Sequence, residues 1–585
     1  MTQRRTFLST LSGTLAALAW PSAERHTRAA TSDARRSNDN CWLDVAAPFV
    51  LQDAGAGLQS ELVLTSDTFA GINGHQEGAF ASEYEISLYD ATGKPLGPDG
   101  FTKRLSVPAM HPAAIPVQEL IGKARSFLGG VKIRLRPLGK ELPHASDLFS
   151  SAYVRWHSQS TFDNVHGNPD PRQWQNTEQF FYSMPFPALS EYECVLSLFN
   201  PNTTRSAGEL VLYDPQGKRF STQAYDLNPR ASLFFDLNAR RFTKDPLTPA
   251  KGAAKAPSTH GLLAVTNALN TSKSFGYMLI RQPARQRLSV EHPIHQSLFT
   301  PKPAAAPFDA KDQFKAQGVL YSPLLFKAKR FGELTLSSRF YLGAGLPLEK
   351  TQWVYPFAVD GAGQAVWSAQ ADAKLAQALP GQSERGVLKL TSGQSCRLDF
   401  EELSLPANFA GGLALAIAPK INHTMMKVEV RVHEWDAFAF THFRPGLASA
   451  RLYQQSKPRG GIATDYIASA ARLLKSATQV KLDELIGVLN LDDQGLEARP
   501  ALEIFNSRGL VKRLALGTIP PFACRHFLLS ELLPGEANYE MLTLRLIDES
   551  ATLLMSVAHL DHQRRDLALD HGSDRFSTFN DFHCQ

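Results

Sequence analysis

The string Glu209-Leu-Val-Leu-Tyr213-Asp214-Pro-Gln-Gly217-Lys218 has a near-identical counterpart earlier in the chain, Glu85-Ile-Ser-Leu-Tyr89-Asp90-Ala-Thr-Gly93-Lys94. Looser copies follow at Phe357-Ala-Val-Asp360-Gly-Ala-Gly363-Gln364 and Glu503-Ile-Phe505-Asn506-Ser-Arg-Gly509. Each is an alternating apolar run that drops into an Asp/Asn-x-x-Gly turn. Glycine supplies the positive φ that ends a tight hairpin, and Asp or Asn bonds its side chain back to the turn backbone. A unit of this kind constrains the fold more than any other feature of the chain.

Two further parts recur with the turn. A strand and turn lead to a segment ending in Leu: Leu120, Leu237, Leu403 and Leu532. Then an aliphatic residue and Arg are followed, eleven residues after the Arg, by His. The pairs are Arg155 and His166, Arg281 and His292, and Arg431 and His442. In the fourth copy His571 fits, but Leu560 replaces the Arg. The turns lie 124, 146 and 146 residues apart, and the histidines 126, 150 and 129 apart. Two independent markers give one period, far longer than that of solenoid repeats, so tandem whole domains are expected.

Period-two apolar runs rich in Val, Leu, Phe and Tyr, punctuated by Gly, Pro, Asn and Asp, argue for sandwich domains. The expected fold is all-β: four tandem Ig-like β-sandwich domains after a cleaved or flexible N-terminal signal. The expected spans are a signal at 1–30, a linker at 31–40, and sandwiches at 41–172, 173–305, 306–447 and 448–585. The stretch Thr300-Pro-Lys-Pro-Ala-Ala-Ala-Pro307 reads as a linker. Tyr466-Ile-Ala-Ser-Ala-Ala-Arg-Leu-Leu-Lys475 is the one stretch expected to be helical. The architecture looks like the Ig-like repeats of many exported bacterial proteins, a resemblance that names no activity.

At the N-terminus, Gln3-Arg4-Arg5-Thr6-Phe7-Leu8-Ser9 precedes an apolar run from Leu11 to Trp20. Arg4, Arg5, Phe7 and Leu8 resemble the bacterial twin-arginine export signal; Gln3 and Ser9 depart from it. The resemblance implies export of a folded chain to the periplasm or beyond. Removing residues 1–30 lowers the formal net charge from +5 to +2. So small a charge gives no electrostatic reason to expect nucleic acid. No later run of 18 apolar residues exists to span a membrane.

The five cysteines, Cys41, Cys194, Cys396, Cys524 and Cys584, contain no Cys-x-x-Cys, and their odd number leaves at least one unpaired in a monomer. Cys396 and Cys524 occupy matching places in two copies and are expected to be far apart.

If Arg155 and His166 face each other on a hairpin, its turn falls near Ser160-Thr161, with Arg155 and His157 on one face. The recurring Arg and His residues are expected to be structural, a polar cluster closing each sandwich. Histidines on one face could instead hold a divalent metal. The densest such group is C-terminal, where His559, Asp561, His562 and His571 form the alternative metal set beside Asp570, Asp574, His583 and Cys584. Those residues are expected on a surface hairpin and tail, and no cofactor is otherwise predicted.

The Gly71-to-Gly78 loop is read as a long hairpin with a ligand loop as the alternative. Trp156, Trp174, Trp353 and Trp435 would suit sugar stacking if exposed. There is no Gly-x-Ser-x-Gly, His-Glu-x-x-His or Walker loop. The function expected is non-catalytic: an exported binding or scaffold protein for a protein or cell-surface partner. A metal-dependent protein and a carbohydrate-binding protein are the alternatives.

Overall fold

The computed structural model describes, with short breaks, residues 41–138, 148–167, 180–247, 259–297, 318–344, 351–368, 383–418, 426–445, 464–574 and 583–584. The twin-arginine stretch, the linkers, Trp174, most of the Gly71-to-Gly78 loop and the expected joins at 172, 305 and 447 lie outside these residues.

The molecule is nearly all β-strand, built from several antiparallel sheets. Local sequence explains the strands. In Ser82–Asp90 the apolar residues Tyr84, Ile86 and Leu88 alternate with polar ones and are fully buried, as a strand with one face on a core requires. The described strands fall into four groups in chain order, each pairing strand to strand within itself, with one exception.

In the first group, Cys41–Asp53 pairs with Ser126–Pro137, which pairs with Ser82–Asp90 and then Lys103–Val107. In its facing sheet, Pro112–Pro116 pairs with Gln59–Ala70, then Leu148–His157, then Phe162–His166. The same order of pairing occurs in the other three groups. In the third and fourth, one long first strand pairs in both sheets. Gly318–Arg330 does so in the third and Thr464–Leu474 in the fourth.

The exception is an edge. A two-residue strand flanks the first strand of each group: Gln296–Ser297 on Phe180–Phe186, Arg444–Pro445 on Gly318–Arg330, and Ser573–Asp574 on Thr464–Leu474. In the first group that place is taken by His583–Cys584, from the far end of the chain.

The apolar cores do not stop at the group boundaries. One cluster runs through the third and fourth groups and takes in Leu262 of the second. A second joins the first group to Val195, Phe234, Tyr277 and Leu288 of the second. The groups are separate in strand pairing and fused in packing.

Residues 466–474 are strand, not helix. Ala468, Ala470 and Ala471 are fully buried, and the segment pairs with Ala537–Asp548 along its length. Alanine's helix preference is a few tenths of a kcal/mol per residue over most residues, about 0.7 at most. Two sheet partners and a shared core outweigh it. Among the described residues no helix is long and apolar enough to cross a membrane.

Candidate functional site

The Asp/Asn-x-x-Gly turns close as expected. Asp90 Oδ1 accepts from Thr92 N–H at 2.9 Å and Lys94 N–H at 3.1 Å. Asp214 and Asp360 repeat the pattern, and Asn506 accepts from Arg508 N–H at 2.8 Å. Gly93, Gly217, Gly363 and Gly509 all have positive φ, between 79° and 112°.

Each turn also lands on the next group. Ser232 N–H donates to Ala91 O at 3.1 Å, Ser395 N–H to Pro215 O at 3.1 Å, and Cys524 N–H to Asp360 O at 2.9 Å. A Cβ on Gly93 would meet Pro229 O at 2.4 Å, and one on Gly363 would meet Pro521 O at 2.2 Å. In the fourth group Gly509 approaches His111 of the first, 3.6 Å from where a Cβ would stand. All four landing points lie at the start of the equivalent strand of the neighbouring group or just before it, so the contacts run around a closed ring.

The strands that end in the recurring histidines meet at the centre of this ring. Phe162–His166 packs on Arg287–Glu291 and on Asp566–His571; Ala437–His442 packs on the same two from the other side. Side chains bond directly to neighbouring backbones. Phe162 N–H donates to Asp566 Oδ2 at 2.8 Å, Leu288 N–H to Thr161 Oγ1 at 3.2 Å, and Phe440 N–H to Ser289 Oγ at 3.0 Å. Val290 N–H donates to the Asp163 carboxylate.

At one end of this junction the His166 and His292 rings meet edge to face with centroids 4.6 Å apart, and His166 Nδ1 lies 3.6 Å from Asp570 Oδ1. Lys427 Nζ donates to Glu291 Oε1 and to His292 O, both at 2.7 Å. Burial pulls the Lys427 ammonium down and pushes the Asp163 carboxyl well up; it lifts Asp566 to about 6 against the opposing pull of Arg287.

The recurring Arg residues lie at different contacts. Arg431 donates to Tyr192 Oη at 2.7 Å and to Glu191 Oε2 at 3.0 Å in the second group. Arg281 stays within its own group, donating to Pro246 O at 2.8 Å. Arg155, 1% exposed, donates from Nη1 to Tyr539 Oη at 2.8 Å and to Glu61 Oε1 at 3.3 Å.

Arg155 does not face His166: it sits opposite Asn164, and His166 sits opposite Tyr153. The hairpin reverses over residues 158–161, where Ser158 Oγ accepts from Ser160 and Thr161 N–H. In the second and third groups Arg281 and Arg431 oppose Leu288 and Phe438, a register two residues different. The turn spans four residues in all three hairpins, 158–161, 283–286 and 433–436, but it begins one residue later after the Arg in the first group, which shifts the Arg's partner by two.

Around Arg155 lies a cleft of about 270 Å³ between the first and fourth groups, lined among others by Glu61, His157, Lys481, Tyr539, Asp561 and Arg564. Its carboxylates are engaged. Asp561 accepts from Gln563 N–H, Arg564 N–H and Arg564 Nη1 at 2.7–3.0 Å, and Glu61 accepts from Arg155 and Tyr539. Burial holds His157 below its ordinary value and therefore mostly neutral near pH 7.

Three of the C-terminal residues are not on the surface, and His562 is half-buried. His559, Asp561 and Asp570 are 0%, 1% and 3% exposed. The whole strand Leu553–Asp561 is buried because Gly318–Arg330 of the third group covers its second face. His559 Nδ1 lies 2.6 Å from Glu484 Oε2, a fully buried pair. His562 packs edge to face on Trp435, centroids 4.9 Å apart. His571 ends its strand opposite Ser556. Among the described residues no three His, Cys, Asp or Glu side chains converge as metal ligands.

Trp156 and Trp435 are buried, at 1% and 8% exposure, and Trp353 is half-buried beneath Lys389, so none offers an open stacking face. Cys194, Cys396 and Cys524 are buried free thiols. The sequence reading missed Glu61, Tyr539 and Glu484, which show no local pattern because each partner lies in a distant segment. No family model matches the chain, and no curated protein matches it in sequence.

Proposed function

We propose that this is an exported, non-catalytic binding or scaffold protein, in which four Ig-like sandwich repeats form a closed ring. The observation that carries this reading is how the signature residues are used. Every recurring turn docks on the next group, the fourth turn approaches the first group, and the central histidine-ended strands brace one another. A motif kept for chemistry would leave side chains free in one place; this one spends them on assembly.

The twin-arginine resemblance supplies the route, since that pathway carries folded cargo. The cleft around Arg155 is the site for a protein or cell-surface partner, because it joins two groups and holds fixed charge under partial cover. Lys481 and Arg564 on its walls favour an acidic group on that partner.

The test is a photo-cross-linking residue in place of Lys481, in protein expressed in its native host, with exposed Lys123 as the control position. A discrete adduct at 481 that is absent at 123 supports the proposal. Equal labelling at both positions rejects it. So does stoichiometric metal that disappears when His562 and His571 are replaced by Ala.

A further inference from the structure

The first and last described strands are paired in register. Cys41 and Cys584 are Cα partners in an antiparallel ladder, with Trp42 opposite His583. Directly opposed residues in such a ladder have Cα atoms about 4.5–5.5 Å apart, inside the roughly 4.4–6.8 Å that a disulfide spans. The other three cysteines have no such partner. Cys194 sits opposite Ile280, Cys396 opposite Leu342 and Cys524 opposite Leu489. All three are buried free thiols, and burial pushes each of them up, away from the reactive thiolate.

We infer that Cys41 and Cys584 form a disulfide that locks the ring closed. A second observation points the same way. The edge place beside the first strand is filled in three groups by the segment just after the histidine-ended strand, and in the first group alone by the chain's last residues. Two paired residues are a weak hold on a short segment, because the entropy of ordering it offsets the few hydrogen bonds gained. A covalent bond makes that hold permanent. It encloses nearly the whole folded chain in one loop, the case in which a cross-link restricts the unfolded state most.

The chemistry is thiol–disulfide exchange with a disulfide oxidant, protein or glutathione. The thiolate of one cysteine attacks a donor sulfur and releases a donor thiolate, giving a mixed disulfide. The second cysteine's thiolate then attacks the first cysteine's sulfur and releases the other donor thiolate. The two cysteines lose two protons and two electrons, and the donor disulfide is reduced to two thiols. An oxidising compartment comes from the export reading; the pairing does not depend on it.

The experiment incubates the chain lacking residues 1–30 in an oxidised glutathione buffer, alkylates free thiols, digests without reductant and identifies linked peptides by mass. The expected result is a Cys41–Cys584 pair lighter by two hydrogen atoms, with the other three cysteines alkylated only after denaturation. Both terminal thiols alkylated in that buffer, or either one linked to a different cysteine, overturns the inference. Reductant should lower the melting temperature of the wild type to that of Cys41→Ser, Cys584→Ser and the double variant, all four alike. A reductant-insensitive melt overturns the locking role. Protein from cells with free thiols that still forms the link in the buffer upholds the pairing and counts against export.

Discussion

Arg155 donates from Nη1 to the Tyr539 hydroxyl at 2.8 Å, across 384 residues of sequence. That bond joins the first group of strands to the fourth, and the guanidinium that makes it is almost wholly excluded from solvent. Attraction to Glu61 and Tyr539 more than offsets the desolvation that burial imposes, so Arg155 stays charged.

Replacing Arg155 with Ala should therefore weaken closure between the last and first groups. Breaking a buried charge pair by removing one partner costs about 3–5 kcal/mol. Glu61 keeps some solvent contact, which places the loss at the lower end. Tyr539→Phe removes only the hydroxyl and should cost about 1 kcal/mol. Urea unfolding of the two variants and their combination measures this. An Arg155→Ala midpoint equal to wild type would show the contact is not part of closure.

The turn glycines should rank by what stands behind them. All four hold positive φ, so alanine at any of them carries backbone strain of about 1–2 kcal/mol. At Gly363 and Gly93 the new Cβ would also press a backbone carbonyl of the next group, at 2.2 and 2.4 Å. Overpacking of this kind adds about 1–3 kcal/mol. At Gly509 the nearest atom stands 3.6 Å away, an ordinary contact. Thermal melts should put Gly363→Ala and Gly93→Ala clearly below Gly509→Ala. Equal losses at all three would mean that the turns do not clasp their neighbours.

His559 and Glu484 test whether the C-terminal cluster is architecture or a metal centre. Both side chains are 0% exposed, and burial pushes the Glu484 carboxyl upward against the pull of His559. His559→Ala should cost about 3–5 kcal/mol by leaving Glu484 buried without its partner, while His559→Leu with Glu484→Met should recover most of that. A metal ligand would behave differently: the double variant would stay unstable, and chelator would reduce wild type to its level.

How much of this could be read beforehand follows from where the information lies. The turns at Asp90, Asp214, Asp360 and Asn506 were legible because an Asp or Asn bonds its own backbone and a Gly takes a positive φ within five residues. Their second use, landing on the next group, was not, because Pro229 and Pro521 carry no mark of being landing points. The helix expected at 466–475 followed alanine content and missed that both sheets claim the segment. The C-terminal polar residues looked like surface because a strand alternating Ser556, Ala558 and Leu560 with Val557, His559 and Asp561 gives no hint that a neighbouring group covers its second face. Register failed by two residues at Arg155 because spacing alone does not say at which residue the turn begins.

Two buried groups should make stability depend on pH in opposite directions. His260 lies near Tyr341, Arg397 and Arg339 at the junction of the second and third groups; burial, then the Arg397 charge, holds it down at about 4. Its unfolded value is about 6.5, so the unfolded chain binds the proton more tightly. The stabilisation is complete above pH 6.5 and is lost as pH falls to about 4, up to about 3 kcal/mol. Asp566, held up at about 6 mainly by burial, favours its protonated form when folded. Its stabilisation is complete below about pH 3.9 and is lost as pH rises through 6. Because the two oppose each other over the same window, each is read as wild type minus its own variant, His260→Gln or Asp566→Asn. The His260 difference should shrink steadily from pH 6.5 to 4 and the Asp566 difference should grow. A flat His260 difference would place that ring in solvent and remove it from the junction.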